Sequence, residues 1–566
     1  MAPTFAWTQT NEIEKAKKEA ERKQELQRKS YALVDEIATG ALSLKLPENR
    51  GFVLAEAADL LWKRDEKRAR NLFWDALNTL ALMTDPTNEP EDKKKNLNSF
   101  FASFGLRRAL LLKVAHRDPQ LALDLLRSTQ PPPPELLGGG YLPDLEQEIA
   151  AQAAARDPKR ALQIARESLA KGVTYQLLHL LWRLHDLDSE LSAKFAGEII
   201  DKLQTRNIAT DFVASQMAVQ LLVSSRTSTQ AFLGAARPVK LSGEQRRQLV
   251  EMIANGALGL AANANLLYGI SDVMPEIEEF APERVAMLQK KIAAFNQTLN
   301  KEQKGWQQYN SIISKGTPEE ILAAAQNAGN EHRRMLQQQA IGVAVARKRA
   351  DALREYIDTE IKDDSVRKGL IDALDTEQIS AAAHKGNAEE LRKLIAQVRL
   401  KEERARAMVE MALLLAKKGD HDEALKLLDE AQTLIKNDFS SETQTNALLA
   451  LVAAYSLIEP ARAFAIIEAA IDRANDQISK ALLLDKIVKT GAVKKGEIIL
   501  QGPGVPMDFI MFKYGKGLAA LADADFDRTK ALADRLERHE LRIMARLMLA
   551  QMMLRQDKRI RMTGAD

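Results

Sequence analysis

The chain contains no cysteine. That removes disulfide staples, a thiolate nucleophile and every zinc or iron–sulfur site that needs a sulfur ligand. The absence fits an oxidising space outside the cytoplasm, where a stray thiol is a liability, and fits a cytosolic chain equally well. Aromatic residues make up only 5% of the sequence, too few to line a long stacking cleft for sugars or nucleic acid. An excess of one charge is missing too. The 81 basic and 78 acidic residues give a formal charge of +3, so the chain as a whole has no strong attraction for a polyanion, and no nucleic-acid partner is expected. The longest apolar run, Ala447 to Ile458, is shorter than the ~18 to 20 residues that cross a bilayer. No transmembrane segment is therefore expected.

The first residues, Met1 to Gln9, lack a basic stretch followed by a long apolar one, so no complete secretory signal is visible. A small and apolar stretch ending near Ala6 to Gln9 runs straight into a charged segment, as the tail of a signal peptide would. As written the chain reads as cytoplasmic. A missing upstream signal would make it secreted or periplasmic.

What is present points to helices. The 566 residues are 46% hydrophobic and 28% charged, rich in Ala, Leu, Glu, Lys and Arg, and far longer than one core serves. Residues 11 to 29 are dense in charge, with Glu14 and Lys18, then Glu19 and Lys23, four apart in the favourable order, and this reads as a solvated helix. From Tyr31 onward apolar residues recur at spacings of three and four, broken at intervals by short polar segments.

Those breaks share a chemistry. An acidic residue, often followed by Pro, stands four positions before an Ala: Asp65 and Ala69, Asp118-Pro119 and Ala122, Asp157-Pro158 and Ala161, Asp420 and Ala424, Glu459-Pro460 and Ala463, Asp527 and Ala531. The carboxylate accepts the free N–H groups of a first helical turn, Pro presets φ where no donor is needed, and Ala lets the new helix approach the old one closely. Together they write a tight corner between antiparallel helices. Ala122 to Ala161 and Ala424 to Ala463 are each 39 positions, a period typical of two-helix repeats, although other gaps differ.

Around residues 405 to 436 the chain resembles a tetratricopeptide repeat. With Ala424 as that family's small residue at the start of its second helix, Met408, Met411, Ala412 and Leu415 occupy packing positions of the first helix, Gly419-Asp420 makes the turn, and Leu428 and Ala431 continue the second. The family's terminal Pro is replaced by Lys436. The same register places Ala57, Leu60, Phe73 and Ala76 around Ala69, and Ala447, Leu451, Ile467 and Ala470 around Ala463. The stretch from Arg206 to Asn300 fits it poorly. The resemblance implies scaffolding or peptide binding along a concave groove. It does not imply the family's grip on a peptide carboxylate through Lys, Asn and Arg, because the matching slots hold Val409 and Leu413 in one repeat and Glu146 and Ala150 in another.

Two breaks are more than corners. Gln130-Pro131-Pro132-Pro133-Pro134 followed by Gly138-Gly139-Gly140 admits no helix and reads as a surface linker, or as a docking site for a partner that grips a preformed proline helix. Between Gly496 and Gly517, apolar runs flank Gly502-Pro503-Gly504-Val505-Pro506, the composition of a small hairpin or a buried loop. Gly515-Lys516-Gly517 lacks the spacing of a phosphate-binding loop.

Catalytic patterns are absent. None of the seven histidines, at 116, 179, 185, 332, 384, 421 and 539, has a partner at the four-residue spacing of a helical zinc site, and no G-x-S-x-G elbow occurs. Trp62, Trp74 and Trp182 read as core residues. Met544, Met548, Met552 and Met553, followed by Arg555, Lys558, Arg559 and Arg561, read as a capping helix with a basic end.

The expected fold is all-α: a right-handed α-solenoid of stacked antiparallel helix pairs with irregular tetratricopeptide-like repeats. Its parts run as a flexible start and charged helix over 1–30, helical repeats over 31–130, a Pro/Gly linker over 131–144, further repeats over 145–300, tetratricopeptide-like repeats over 301–495, a loop or small hairpin over 496–515 and capping helices over 516–566. The expected function is a non-catalytic scaffold for a protein or peptide partner, with no metal and no cofactor. The alternatives are an enzyme with a carboxylate site in a cleft of the array and an RNA-binding repeat protein. Sequence spacing names no site residue.

Overall fold

The computed structural model describes residues 4–81, 93–128, 142–226, 239–259, 264–298, 309, 312–313, 316–435, 441–488, 493–500 and 507–559. The Pro131–Pro134 break, the segment Gly502–Pro506 and Arg561 lie outside them.

In chain order the helices begin with α1 (Thr4–Ala41), α2 (Pro47–Leu61), α3 (Glu66–Ala81), α4 (Lys93–Arg117), α5 (Pro119–Ser128), α6 (Leu142–Ala153), α7 (Pro158–Lys171) and α8 (Gln176–Leu187). They continue with α9 (Ser189–Gln204), α10 (Phe212–Ser224), α11 (Gly243–Leu258), α12 (Ala264–Gly269), α13 (Met274–Phe280), α14 (Val285–Thr298), α15 (Pro318–Gln326), α16 (Asn330–Ala346) and α17 (Ala350–Glu360). The last are α18 (Asp364–His384), α19 (Ala388–Gln397), α20 (Lys401–Lys417), α21 (His421–Leu434), α22 (Glu442–Ile458), α23 (Pro460–Val488), α24 (Met507–Ala524), α25 (Phe526–Asp534) and α26 (His539–Arg559). The one sheet among the described residues is a hairpin of β1 (Val493–Lys494) and β2 (Glu497–Ile498).

The fold is all-α, and its corners follow the acidic pattern of the sequence. The carboxylates of Asp65, Asp118, Asp157 and Asp420 accept the N–H groups of Arg68, Leu121, Arg160 and Glu423, each three residues on. In all four, the N–H of the Ala at the fourth position donates to the acid's own carbonyl, and that Ala is fully buried. The helix starts where the carboxylate satisfies its open end, and the small residue sits where the neighbouring helix passes closest.

Two corners depart from the expectation. Glu459 does start a helix at Pro460 with Ala463 buried, but its longer side chain pairs with Arg462 at 2.9 Å and caps nothing. At α25 the cap is Asp525, whose carboxylate accepts the Arg528 N–H at 2.9 Å, while Asp527 pairs with Lys29 and Ala531 is exposed. The register is set by Phe526, Thr529 and Leu532, which recur every three residues and are all buried. A start at Asp527 would turn Phe526 out of the core.

Two further corners carry Ser where the pattern has Ala. Asp188 accepts from Glu190 and Leu191 with Ser192 buried at the fourth position, and Asp211 accepts from Ala214 with Ser215 buried there. Ser192 satisfies its own hydroxyl by donating to the Leu181 carbonyl at 2.9 Å.

The chain forms two compact units, one of residues 64–301 and the other of residues 1–63 together with 302–566. In the 64–301 unit sets of three consecutive helices pack together, as α4, α5 and α6 do, and then α6, α7 and α8. Side chains tie these neighbours at similar sequence separations. Arg108 pairs with Glu148 at 2.6 Å, Lys171 with Glu146 at 2.6 Å and Arg166 with Glu198 at 2.5 Å. Gln147, fully buried, accepts from the N–H and hydroxyl of Thr174 and donates to the Gly172 carbonyl, pinning the turn before α8.

In the other unit α16, α18, α20, α22, α24 and α26 form one closely packed row, each against the next. Most residues that carry the tetratricopeptide resemblance around Ala424 and Ala463 lie in the core of this stack. Met408, Ala412, Ala424, Leu428, Ala431, Ala447, Leu451, Ala463 and Ala470 share one apolar cluster, with Leu415 and Ile467 packed on its edge. Gly517 of α24 lies so near α22 that a Cβ there would stand 2.6 Å from the Ala453 Cα. The row ends at α26, which packs against both α1 and α2. Met544 and Met552 of the methionine stripe are buried there, and Arg555 pairs with Glu56 and Asp59.

Two outcomes follow for stability, read by chemical denaturation. Asp525→Ala should cost about 1 kcal/mol and Asp527→Ala less than about 0.5 kcal/mol, since the first removes a cap and the second an exposed ion pair. Gly517→Ala should cost roughly 1–3 kcal/mol, because backbone rather than a flexible side chain blocks the new methyl.

Candidate functional site

The chemistry available was sought where polar groups converge. Among the described residues no group of three or more His, Asp or Glu is placed to hold a metal ion, and no helix is long and apolar enough to cross a membrane. His179 meets Trp182 edge to face, 5.0 Å between ring centres, within α8. The indole Nε1 of Trp182 and Nδ1 of His185 are buried without a hydrogen-bond partner. The rings themselves stay partly exposed, as do Trp62 and Trp74, so none of these residues is a full core residue.

One pair has the composition of a nucleophile and its base. Ser43 Oγ lies 2.6 Å from His539 Nε2. Its hydroxyl, however, has a second neighbour in the Gly40 carbonyl at 2.7 Å. A carbonyl can only accept, so the serine proton points to Gly40 and the imidazole N–H donates to the serine oxygen. That is the reverse of what proton abstraction from serine needs. No carboxylate within hydrogen-bonding distance orients the ring, and both residues are exposed. The pair ties the α1–α2 turn to the start of α26.

Carboxylate pairs are likewise committed. Glu56 receives the Gln551 amide at 2.7 Å and, with Asp59, faces Arg555. Asp375 is buried and ion-paired with Arg354, which also reaches Gln378 at 3.1 Å. Its neighbour Asp372, one turn earlier in α18, has its pKa pushed up, first by burial and then by the Asp375 charge, against a smaller opposing pull from Arg399. Two surface depressions stand out. One of about 330 Å³ is lined by Ser271, Met274, Gln289, Ile292, Ala293 and Asn296, none of them titratable. The other, about 490 Å³, lies over Thr205, Arg206, Asn207, Thr210 and Asp211, where the two charged side chains pair at 2.6 Å.

The slots that matter for a carboxylate grip are in the packing. Val409 and Ala150 are buried, Leu413 packs on the core, and Glu146 is spent on Lys171. The closely packed row also leaves three large apolar side chains outward. On α22, Leu449 is 38% exposed and Leu457 49%, and on α18 Val366 is 42% exposed. Leu449 and Leu457 lie two turns apart on neighbouring stripes of one helix. Periodicity could not single them out, because Ala447 to Ile458 is apolar nearly throughout and hides which residues face outward.

The fold thus defines a class, an all-α protein of helix pairs stacked in line. No protein-family model and no curated protein matches the chain in sequence. Among solved structures it is similar to a circular tandem repeat protein with novel repeat topology and enhanced subunit contact surfaces, at 12% identity over 95% of this chain and 100% of that one, with a TM-score of 0.16. A superposition that loose carries no argument about function.

The raised pKa of Asp372 has a stability consequence. A carboxyl that holds its proton more tightly when folded makes the folded state lose stability as pH rises from the ordinary aspartate range through the raised value. Asp372→Asn should therefore melt at a higher temperature than the wild type at neutral pH. Thermal melts taken at successively lower pH should show that gap closing.

Proposed function

We propose that the protein is a non-catalytic scaffold that binds a peptide or protein partner along its closely packed helical row, the tetratricopeptide-like part of the chain. The observation that carries this reading is the outward Leu449 and Leu457 on a helix that buries Leu448, Leu451, Val452 and Tyr455. Elsewhere the array spends its surface charges on ties between neighbours, such as Arg462 with Asp429 and Arg528 with Glu468. Apolar side chains left in water at the middle of such a row cost solubility and add nothing to the stack, but covering them on binding is favourable. A row of helices packed closer than the layer behind it also curves toward its own side and gathers side chains from successive repeats onto one face.

The test is a double substitution, Leu449→Glu with Leu457→Glu, compared with Leu483→Glu, another exposed leucine (60%) on α23 outside the row. Crosslinking and recovery from cells that make the protein should yield a partner whose affinity falls at least about tenfold in the double variant and is unchanged in the control. Equal binding by all three would sink this reading, provided their melting temperatures agree.

A further inference from the structure

The helix pair α1–α2 lies in one unit with the C-terminal helices, nearly five hundred residues away along the chain, and what fastens it is specific. Helix α2 begins after Leu46, which supplies no side-chain cap. What fixes the turn just before it comes from the β-hairpin. Glu497, 5% exposed, accepts the Lys45 N–H at 2.6 Å, the Leu46 N–H at 3.4 Å and the Asn49 amide at 2.7 Å. Asn49, fully buried, also donates to the Ile498 carbonyl at 2.7 Å and accepts the Leu500 N–H at 2.8 Å. The hairpin is anchored on its other side by Glu540 of α26, which accepts the Ile498 N–H at 3.1 Å and pairs with Arg538 at 2.7 Å.

Around this buried knot the ties are of another kind. Arg22 with Asp523, Lys29 with Asp527 and Lys530 with Glu36 pair at 2.8, 2.7 and 2.8 Å on the surface of α1. Exposed pairs of this sort hold weakly and are screened by salt. Beneath them α1 buries Leu33, Val34 and Ile37, and a Cβ at Gly40 would stand 3.4 Å from Ile543 of α26.

We propose that residues 1–63 are a strap, a helix pair docked by side-chain contacts alone on the hairpin and α26, which opens as one piece with Glu497 as its latch and bares the apolar face of α26 at the end of the helical row. The covalent route from Lys63 back into the same unit runs through residues 64–301, so the connection itself does not hold the strap in place. Helices α18, α20, α22 and α24 each pack between two neighbours of the row, whereas α1 and α2 pack on each other and on α26 at its end. End elements of linear arrays open separately from the middle for this reason.

The test is hydrogen exchange on the full chain. Glu497→Gln keeps the shape of the side chain but turns an acceptor toward donors as a donor, and Asn49→Ala removes the other half of the knot. In both, amides of residues 30–61 and 493–500 should exchange at least about tenfold faster than in wild type, while residues 401–458 stay unchanged. Equal acceleration across 401–458 would show that no separate piece opens, and no acceleration in 30–61 would remove Glu497 as latch. A second measurement keeps the wild-type knot: with a protease site inserted after Lys63, cutting should leave residues 1–63 co-eluting with the remainder. Their release on cutting would overturn the proposal.

Discussion

The whole array depends on one small arrangement, a carboxylate that closes the open end of a helix with a small residue four positions later. The first N–H groups of every helix lack internal partners, and a corner buried between two helices has no water to supply them. Aspartate reaches those groups from its own backbone position. The fourth residue then lies on the side facing the preceding helix, where Ala, Ser or Thr leaves room for close approach. Stacking such corners lets each amphipathic helix bury its apolar stripe on its neighbours, so the core runs as a band through each unit instead of gathering at one centre.

This arrangement governs what the surface can do. Polar groups are consumed in caps and in ties between neighbouring helices, as with Asp118, which caps α5 and receives Arg70 as well. Burial raises the pKa of Asp118, but the Leu121 N–H and the Arg70 guanidinium outweigh that and hold it below its ordinary value. Charges used in this way tie helices to their own caps and to their neighbours. The apolar residues that remain outside on α22 are therefore the more telling surface, and a binding role is the reading that uses them.

The sequence was legible where the physics is local. Four corners were found from an acid and an alanine four apart because capping and close approach involve residues within one turn. The rule failed by detail. An acid-and-Ala rule misses Asp188 with Ser192 and Asp211 with Ser215, the second within the stretch from Arg206 to Asn300 that fits the repeat poorly, although Ser fills the same small space. At α25 two aspartates compete, and the choice of Asp525 over Asp527 is made by Phe526 finding a core, which spacing alone does not reveal. The tight β-turn could be suspected from Gly496; its geometry, with φ of 51° at Lys495 and 74° at Gly496, suits a two-residue hairpin.

By itself the sequence determined an all-α chain, the position of four of its corners and the absence of cysteine chemistry, because helix formation and capping are settled within a few residues. Only the tertiary structure decided that α1 and α2 close against the C-terminal helices, that Glu497 accepts the Lys45 and Leu46 N–H groups some 450 residues before it, and that Leu449 and Leu457 face outward. Those outcomes depend on contacts between helices far apart in the chain, which no local pattern encodes.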